Sequence, residues 1–136
     1  MKLSTTQKRI IGVATLWMLL YPLVFIVLWF AMFASMFATI NSRGEPPVAF
    51  FAIFVCTMPI HFFSAFLSLA LMGFYWAHII KNTTTADVWR IIFGVGIYVF
   101  GYFAMPLYFY FFVWREETPT WARPTPPQQS IAPVVP

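Results

Sequence analysis

The sequence has 136 residues and a net charge of +4, and 61% of the residues are hydrophobic whereas only 9% are charged. Soluble domains are about half apolar and about a quarter charged, and a small domain has too little interior to bury such an apolar excess. The Lys and Arg residues are scattered between apolar blocks, unlike the clustered basic face of a nucleic-acid-binding protein. The composition therefore predicts an all-α integral membrane protein whose partners are lipids and other membrane subunits, and no nucleic acid.

Three apolar blocks along the chain, the first two without any charge, are each long enough to cross a bilayer. A hydrocarbon core of about 30 Å needs about 20 helical residues; the first block is longer, so its helix must tilt or bend at Pro22. It is also too long for a signal peptide, which predicts a retained helix. The predicted segments are a basic N-terminal segment (1–9), three transmembrane helices in a small bundle (10–40, 48–80 and 86–114), their loops (41–47 and 81–85) and an extended proline-rich tail (115–136).

Local signals mark the start of the third helix and the sidedness of the chain. The Thr84 hydroxyl is expected to cap the helix at Asp87, and the tail is expected to be polyproline-like with no core of its own. Five cations belong to the N-terminal side and the second loop, and three to the first loop and the tail. The positive-inside bias then predicts that the N-terminus is cytoplasmic and the C-terminus external.

Small and hydrogen-bonding side chains mark the faces through which helices pack in lipid. At about 100° per residue, one face of the second helix collects Thr57, His61, Ser64, Ser68 and Tyr75. One face of the third helix collects Gly94, Tyr98, Gly101, Met105 and Tyr108, and the first helix has a small patch of Ala31, Ala34, Ser35 and Ala38. We predict that these faces hold the bundle together, with the two glycines forming a docking groove.

Two histidines are the candidates for cofactor binding. An ionisable side chain near the middle of a span, such as His61, is a functional-site hypothesis. Its imidazole could ligate a tetrapyrrole of the haem or chlorophyll type, or hydrogen-bond a Ser, Thr or Tyr of another helix. His78 lies about 25 Å further along the same helix, so the two cannot share one metal. His78 is either a second axial ligand or a polar end group.

The sequence contains no pattern that indicates catalysis. Asp87 is assigned to the cap of the third helix and no carboxylate lies deeper within a predicted span, so a general acid–base pair has no candidates. Zinc-binding, phosphate-binding and hydrolase motifs are absent, and Cys56, the single cysteine, can form no disulfide within the chain. We therefore predict a protein that is not an enzyme and has no metal site of its own.

From His61 onward the chain resembles a broad group of small, uncharacterised bacterial multi-pass membrane proteins. The matching residues are His61, Tyr75-x-x-His78-x-x-Lys81-Asn82, Trp89, Ala104-Met105-Pro106-x-Tyr108 and Trp114-Arg115-Glu116. The group commonly carries an Asn near the position of Gly101, which this chain lacks, and the tail lies outside the resemblance. The resemblance implies a fold and no activity.

Three functions fit these observations. The leading hypothesis is a non-catalytic accessory or structural subunit of a larger bacterial membrane complex, which packs through its small-residue faces and its tail. The second is a pigment- or haem-binding subunit of an energy-transducing complex, with His61 or His78 as the axial ligand. The third is a free-standing membrane protein that organises or senses lipid.

Overall fold

The computed structural model describes residues 3–40, 48–115 and 117–125, and all regular secondary structure in these ranges is helical. The predicted all-α class is confirmed for this part of the chain, whereas the predicted first loop (41–47) and the end of the tail (126–136) lie outside it. The elements are α1 (Thr5–Ile40), α2 (Val48–Lys81), α3 (Asp87–Val99), α4 (Gly101–Tyr108), a π-helical segment (Phe109–Trp114) and a 3₁₀ turn (Thr120–Ala122).

The helices α1 and α2 form a long antiparallel pair. Thr15 near the start of α1 contacts Tyr75 near the end of α2, and Tyr21 further along α1 contacts His61. Both helices are long and apolar enough to cross a bilayer, and only 11% of the most apolar 18-residue stretch of each is buried. The core helix of a soluble protein would be mostly buried, so this exposure is typical of helices that face lipid or other subunits.

The chain that follows α2 is a helical hairpin and not the single helix predicted over 86–114. The Phe93 ring of α3 lies 5.1 Å from the Phe112 ring of the π-helical segment and 5.5 Å from that of Tyr108. In one continuous helix Phe93 and Phe112 would be roughly 28 Å apart. The polypeptide therefore reverses direction between α3 and α4, and the π-helical segment returns to the end where α3 starts. We call α4 and the π-helical segment together the returning limb of the hairpin.

The reversal takes place at Phe100. This residue leaves the helical region at φ −125° and ψ 44°; its N–H closes α3 on the Gly96 carbonyl, and its own carbonyl accepts the first hydrogen bonds of α4. Glycine weakens a helix by about 1 kcal/mol relative to alanine, and Gly101 directly follows the break. A Cβ on Gly96 would lie 3.5 Å from that of Ala104, so small side chains let the two limbs pack closely.

The hairpin replaces the single third helix on which the prediction of three transmembrane helices was based, whereas α1 and α2 are long and apolar enough to cross a membrane. With 13 residues, α3 is about 20 Å long, which is shorter than a hydrocarbon core of about 30 Å. One end of the molecule brings together the start of α1, the end of α2 and both ends of the hairpin. Lys8 Nζ of α1 contacts the Trp114 carbonyl, and Arg90 of α3 donates to the Ile79 carbonyl of α2. We call this end the charged end of the molecule. The tail thus begins beside the start of α1, whereas three crossings would place it at the opposite end.

The first part of the tail folds back onto the start of α3, which corrects the expectation of a tail without packing of its own. The Ala86 N–H donates to the Ala122 carbonyl at 2.8 Å, and the Trp89 indole N–H donates to the Trp121 carbonyl at 2.9 Å. Ala122 is fully buried, and the Trp121 ring lies 4.6 Å from that of Trp89. Backbone and aromatic contacts therefore fix residues 118–123 on the hairpin.

The predicted Thr84 cap is wrong. No side chain caps α3, whose N-cap residue is Ala86. The Thr84 hydroxyl bonds Asn82 and Thr118 instead. The N–H of the N-cap residue Ala86 is itself bonded to the Ala122 carbonyl, so the tail contacts the backbone at the start of this helix.

The core lies where the hairpin covers the first half of α1 and the second half of α2. Its most buried side chains are Tyr75, Ile97, Met18 and Tyr108. Beyond Met18, α1 contributes no buried side chain among the residues described. The far half of the helix pair therefore stands without a third helical element against it.

Gly12 is the glycine at which two elements approach most closely. A Cβ there would lie 2.9 Å from Phe109 Cζ, whereas Gly73 has nothing within 4 Å of its Cβ position among the described residues. Both substitutions to alanine gain helix propensity, but only Gly12→Ala must displace a ring. We expect Gly12→Ala to be less stable than Gly73→Ala by about 1–3 kcal/mol in detergent unfolding titrations. Equal stabilities would contradict the close packing of α1 on the returning limb.

Candidate functional site

Side chains of α2 hydrogen-bond to side chains of α1 along the predicted face of α2, which we call the polar stripe (Thr57, His61, Ser64, Ser68 and Tyr75). The Trp17 indole N–H donates to Ser64 Oγ at 3.0 Å, and Ser64 is almost completely buried. Between the described residues of α1 and α2, the side-chain hydrogen bonds are Thr15–Tyr75, Trp17–Ser64 and Tyr21–His61. Each bond satisfies polar groups that would otherwise face an apolar medium.

His61 lies half-buried on this stripe. Its Nδ1 is hydrogen-bonded to the Tyr21 hydroxyl, and the Phe25 ring packs edge-on at 5.2 Å. The imidazole lines a cavity of about 170 Å³ with Trp29 and Phe54, and a more open one of about 550 Å³ that extends to Tyr102 at the hairpin tip. One ring nitrogen of His61 is thus occupied by a neighbouring helix while the ring borders two cavities.

His78 is buried, with 5% of its surface exposed. Its Nδ1 lies 2.9 Å from the Tyr108 hydroxyl. The returning limb of the hairpin therefore covers His78, which the sequence analysis interpreted as either an axial ligand or a polar end group. The imidazole lines a cavity of about 610 Å³ at the charged end. The sequence could not predict this burial because a straight third helix would not bring Tyr108 back to the end of α2.

The two histidines share one arrangement, a ring nitrogen bonded to a tyrosine hydroxyl of another helix. This is the contact expected of a neutral histidine in a bilayer. The same contact would also orient a histidine that ligates a metal with its other nitrogen, so both interpretations of these residues fit the geometry. No group of three or more His, Cys, Asp or Glu side chains that could hold a metal ion is found in the described ranges.

The remaining residues of the two predicted faces differ in environment. On α2, Thr57 is buried and bonds the Phe54 carbonyl of its own helix, and Ser68 is half-buried. On the hairpin, Met105 is buried and Gly101 half-buried. Ser68, Gly101 and Met105 meet around a cavity of about 190 Å³ that Met18 and Tyr98 also line.

The two glycines of the predicted docking groove lie in different helices, Gly94 in α3 and Gly101 in α4, and Gly94 is buried; the groove itself stays a prediction. No atom of another element comes within 4 Å of a Cβ position at Gly94, and the nearest atom at Gly101 is the Met105 methyl of its own helix. Tyr98, placed on the same face, is 73% exposed. Because the chain turns at Phe100, residues on either side of the turn do not continue one helical face.

The residues that sequence reasoning missed are the partners on α1. Trp17 and Tyr21 are four residues apart and therefore share a helix face, and both carry a polar group that can hydrogen-bond. That spacing of amphipathic aromatic side chains is the signal in the sequence that indicates which face of α1 pairs with the polar stripe of α2.

The charged end collects all the cations of the described chain, which are Lys8, Arg9, Lys81, Arg90, Arg115 and Arg123. Arg90 donates to the Ile79 and Ile80 carbonyls and pairs with Asp87 at 2.7 Å. It thus satisfies carbonyls in the last turn of α2, where a positive charge also favours the helix dipole.

Comparisons with protein-family models, curated proteins and solved structures find no match. The function of this chain must therefore be inferred from its own geometry.

Ser64 provides a test of the contact between α1 and α2. Ser64→Ala removes the acceptor of the Trp17 indole, and inter-helix hydrogen bonds in membranes are worth about 0.6 kcal/mol on average. We expect that loss in a detergent unfolding titration. Ser68→Ala is the matched control because Ser68 makes no hydrogen bond with the described residues, and a loss as large as that of Ser64→Ala would count against the assigned contact.

Proposed function

We propose that this chain is a non-catalytic accessory subunit of a larger membrane complex. In this proposal α1 and α2 cross the bilayer, and the α3–α4 hairpin enters it from the charged end and leaves on the same side. The length and apolar surface of the two long helices support the crossing, and the length of α3 supports a re-entrant hairpin rather than a span.

The distribution of charge supports a cytoplasmic location for the charged end. All cations of the described chain lie there, and Arg43 of the first loop is the cation that the sequence places at the other end. The positive-inside bias then favours a bacterial inner membrane protein with both the N-terminal segment and the start of the tail in the cytoplasm. This replaces the external C-terminus expected from three crossings.

The observation that carries the subunit proposal is the exposed tyrosine at the hairpin tip. Tyr98 lies about 16 Å along the helix from Asp87, close to the middle of a hydrocarbon core of about 30 Å. It is 73% exposed, and its hydroxyl has no hydrogen-bond partner among the described residues. Leaving a hydroxyl unbonded in an apolar medium costs about 1–3 kcal/mol. Lipid tails offer no acceptor, whereas a helix of another subunit does.

A second open surface supports the same proposal. The hairpin covers the helix pair at its charged end, and the far half of α1 exposes the small side chains Ala31, Ala34 and Ala38. Small residues let helix backbones approach closely in membranes. A partner helix on this half would complete a bundle that the chain forms only at one end.

The test removes one hydroxyl. Tyr98→Phe keeps the ring and should lower recovery of the partner in a mild-detergent pull-down of the tagged chain by about threefold or more, as expected for loss of one inter-helix hydrogen bond. Tyr110→Phe is the matched control because its hydroxyl accepts from Arg115 at the charged end. Undiminished recovery with Tyr98→Phe, or migration of the native chain at monomer mass, would contradict the proposal and favour a free-standing lipid-organising or sensing protein.

Tetrapyrrole binding at His61 is the second candidate function. It is favoured by the position of the imidazole beside two cavities and by the Tyr21 bond that fixes one ring nitrogen. An absorbance band of the purified complex that is lost in His61→Ala and kept in Gly73→Ala, which lies outside both cavities, would support it. The absence of such a band would contradict tetrapyrrole binding, and the role of His61 would then be its hydrogen bond to Tyr21 of α1.

A further inference from the structure

A cavity of about 610 Å³ opens at the charged end between α1, the end of α2, the returning limb and the tail. Its polar side carries Lys8, Arg115, Asn82, Thr84 and Thr118, and residues 111–113 form an apolar wall. Ligand pockets typically measure about 300–1,000 Å³. The volume and the division into a polar and an apolar side are those of a site for an amphipathic molecule.

The two cations of the cavity are held in place by neighbouring groups. Lys8 Nζ lies 3.5 Å from the Trp114 carbonyl, which occupies one of the three ammonium donors. The Arg115 guanidinium stacks over the Tyr110 ring at 4.9 Å and donates to the Tyr110 hydroxyl at 3.1 Å. Each cation keeps further N–H donors that have no acceptor among the described residues.

The charge in the cavity is not neutralised by the described carboxylates. Asp87 is paired with Arg90, and Glu117 is paired with Arg123. Lys8 and Arg115 form no ion pair within the described ranges. Because both side chains line one cavity, they create a positive site that favours an anion with several acceptor oxygens.

The polar wall of the cavity is fixed by its own hydrogen bonds. The Thr84 hydroxyl lies 2.7 Å from Asn82 Oδ1 and 2.8 Å from Thr118 Oγ1, so the turn that follows α2 is joined to the tail on this side. The wall therefore has its shape without a bound molecule. The site depends on the tail, because Thr118 is one of its lining residues.

We propose that this cavity binds the phosphate group of an anionic ligand through Lys8 and Arg115. The cavity lies at the end of both candidate spans, where lipid headgroups are located, and its apolar wall could contact the upper part of an acyl chain. A phospholipid headgroup and a free phosphate share the recognised chemistry. Competition between lipid and inorganic phosphate distinguishes these two sources.

The experiment titrates the purified full chain in detergent with dioleoyl phosphatidylglycerol or dioleoyl phosphatidylcholine and measures the first bound lipid by native mass spectrometry. Phosphatidylglycerol should bind more tightly, since its net negative charge is not offset by a headgroup cation. Lys8→Gln with Arg115→Gln should weaken phosphatidylglycerol binding by about fivefold for each charge removed. Arg115→Gln alone is the second variant, because its exposed side chain can be replaced with little effect on folding.

The matched control is Arg9→Gln with Lys81→Gln, which removes the same charge from the same end of the molecule outside the cavity. We expect its affinity to stay within about twofold of the native chain. Inorganic phosphate that displaces the lipid at millimolar concentration would assign the site to free phosphate, and failure to displace it would assign the site to the lipid. Equal binding of the two lipids, equal weakening in the control, or unchanged affinity in Arg115→Gln would overturn the proposal.

Discussion

The reversal of the chain at Phe100 is the constraint on which the rest of the structure depends. A helix that continued beyond Val99 would carry Tyr108 away from the end of α2. The turn instead returns it to hydrogen-bond with His78 and to pack against Tyr75 at 5.7 Å. The same turn brings Phe109 against Gly12 and the Trp114 carbonyl to Lys8. The core, the cavity at the charged end and the docked tail all follow from this one change of direction.

In the proposed membrane setting, the energetics of this arrangement differ from those of a soluble domain. Apolar association between helices contributes little in lipid, where tails are as apolar as leucine, so close packing and hydrogen bonds must hold the helices together. The inter-helix bonds of the polar stripe and the aromatic contacts along the returning limb supply them. The fold leaves large apolar side chains such as Phe30 and Phe66 exposed, which is acceptable where the surroundings are lipid or protein. Tyr98 is more exposed than the other tyrosines of the described chain, and its unbonded hydroxyl is the reason for proposing a partner.

Sequence reasoning predicted what depends on apolar length and helix periodicity. It located α1 and α2 to within a few residues, and it selected the α2 stripe that includes Ser64 and Tyr75. It could not locate the reversal, because Phe100 is itself apolar and lies inside an uncharged block. Gly96 and Gly101 flank the turn and were the available signals, but Gly101 was interpreted together with Gly94 as a packing residue of one helix. The burial of His78 and the docking of Trp121 were also beyond prediction, since both depend on contacts between residues that are distant in sequence.

The hairpin also changes where a function is expected. Three crossings would place His61 in a closed bundle and the tail on the far side of the membrane. With two crossings and a re-entrant hairpin, the tail joins the cationic cavity, and the hairpin tip presents Tyr98 to its surroundings. Partner binding and anion binding are then assigned to opposite ends of the hairpin, which allows each to be disrupted without the other.

The most direct test of the hairpin is the sidedness of the tail in a membrane. In a Cys56→Ala background, single cysteines at Ser4, Ser42 and Thr120 would be labelled with an impermeant maleimide in sealed vesicles of defined orientation. The hairpin predicts that the cysteines at Ser4 and Thr120 react from the same side and the one at Ser42 from the other. Labelling of Thr120 together with Ser42 would show a third crossing and contradict the re-entrant hairpin.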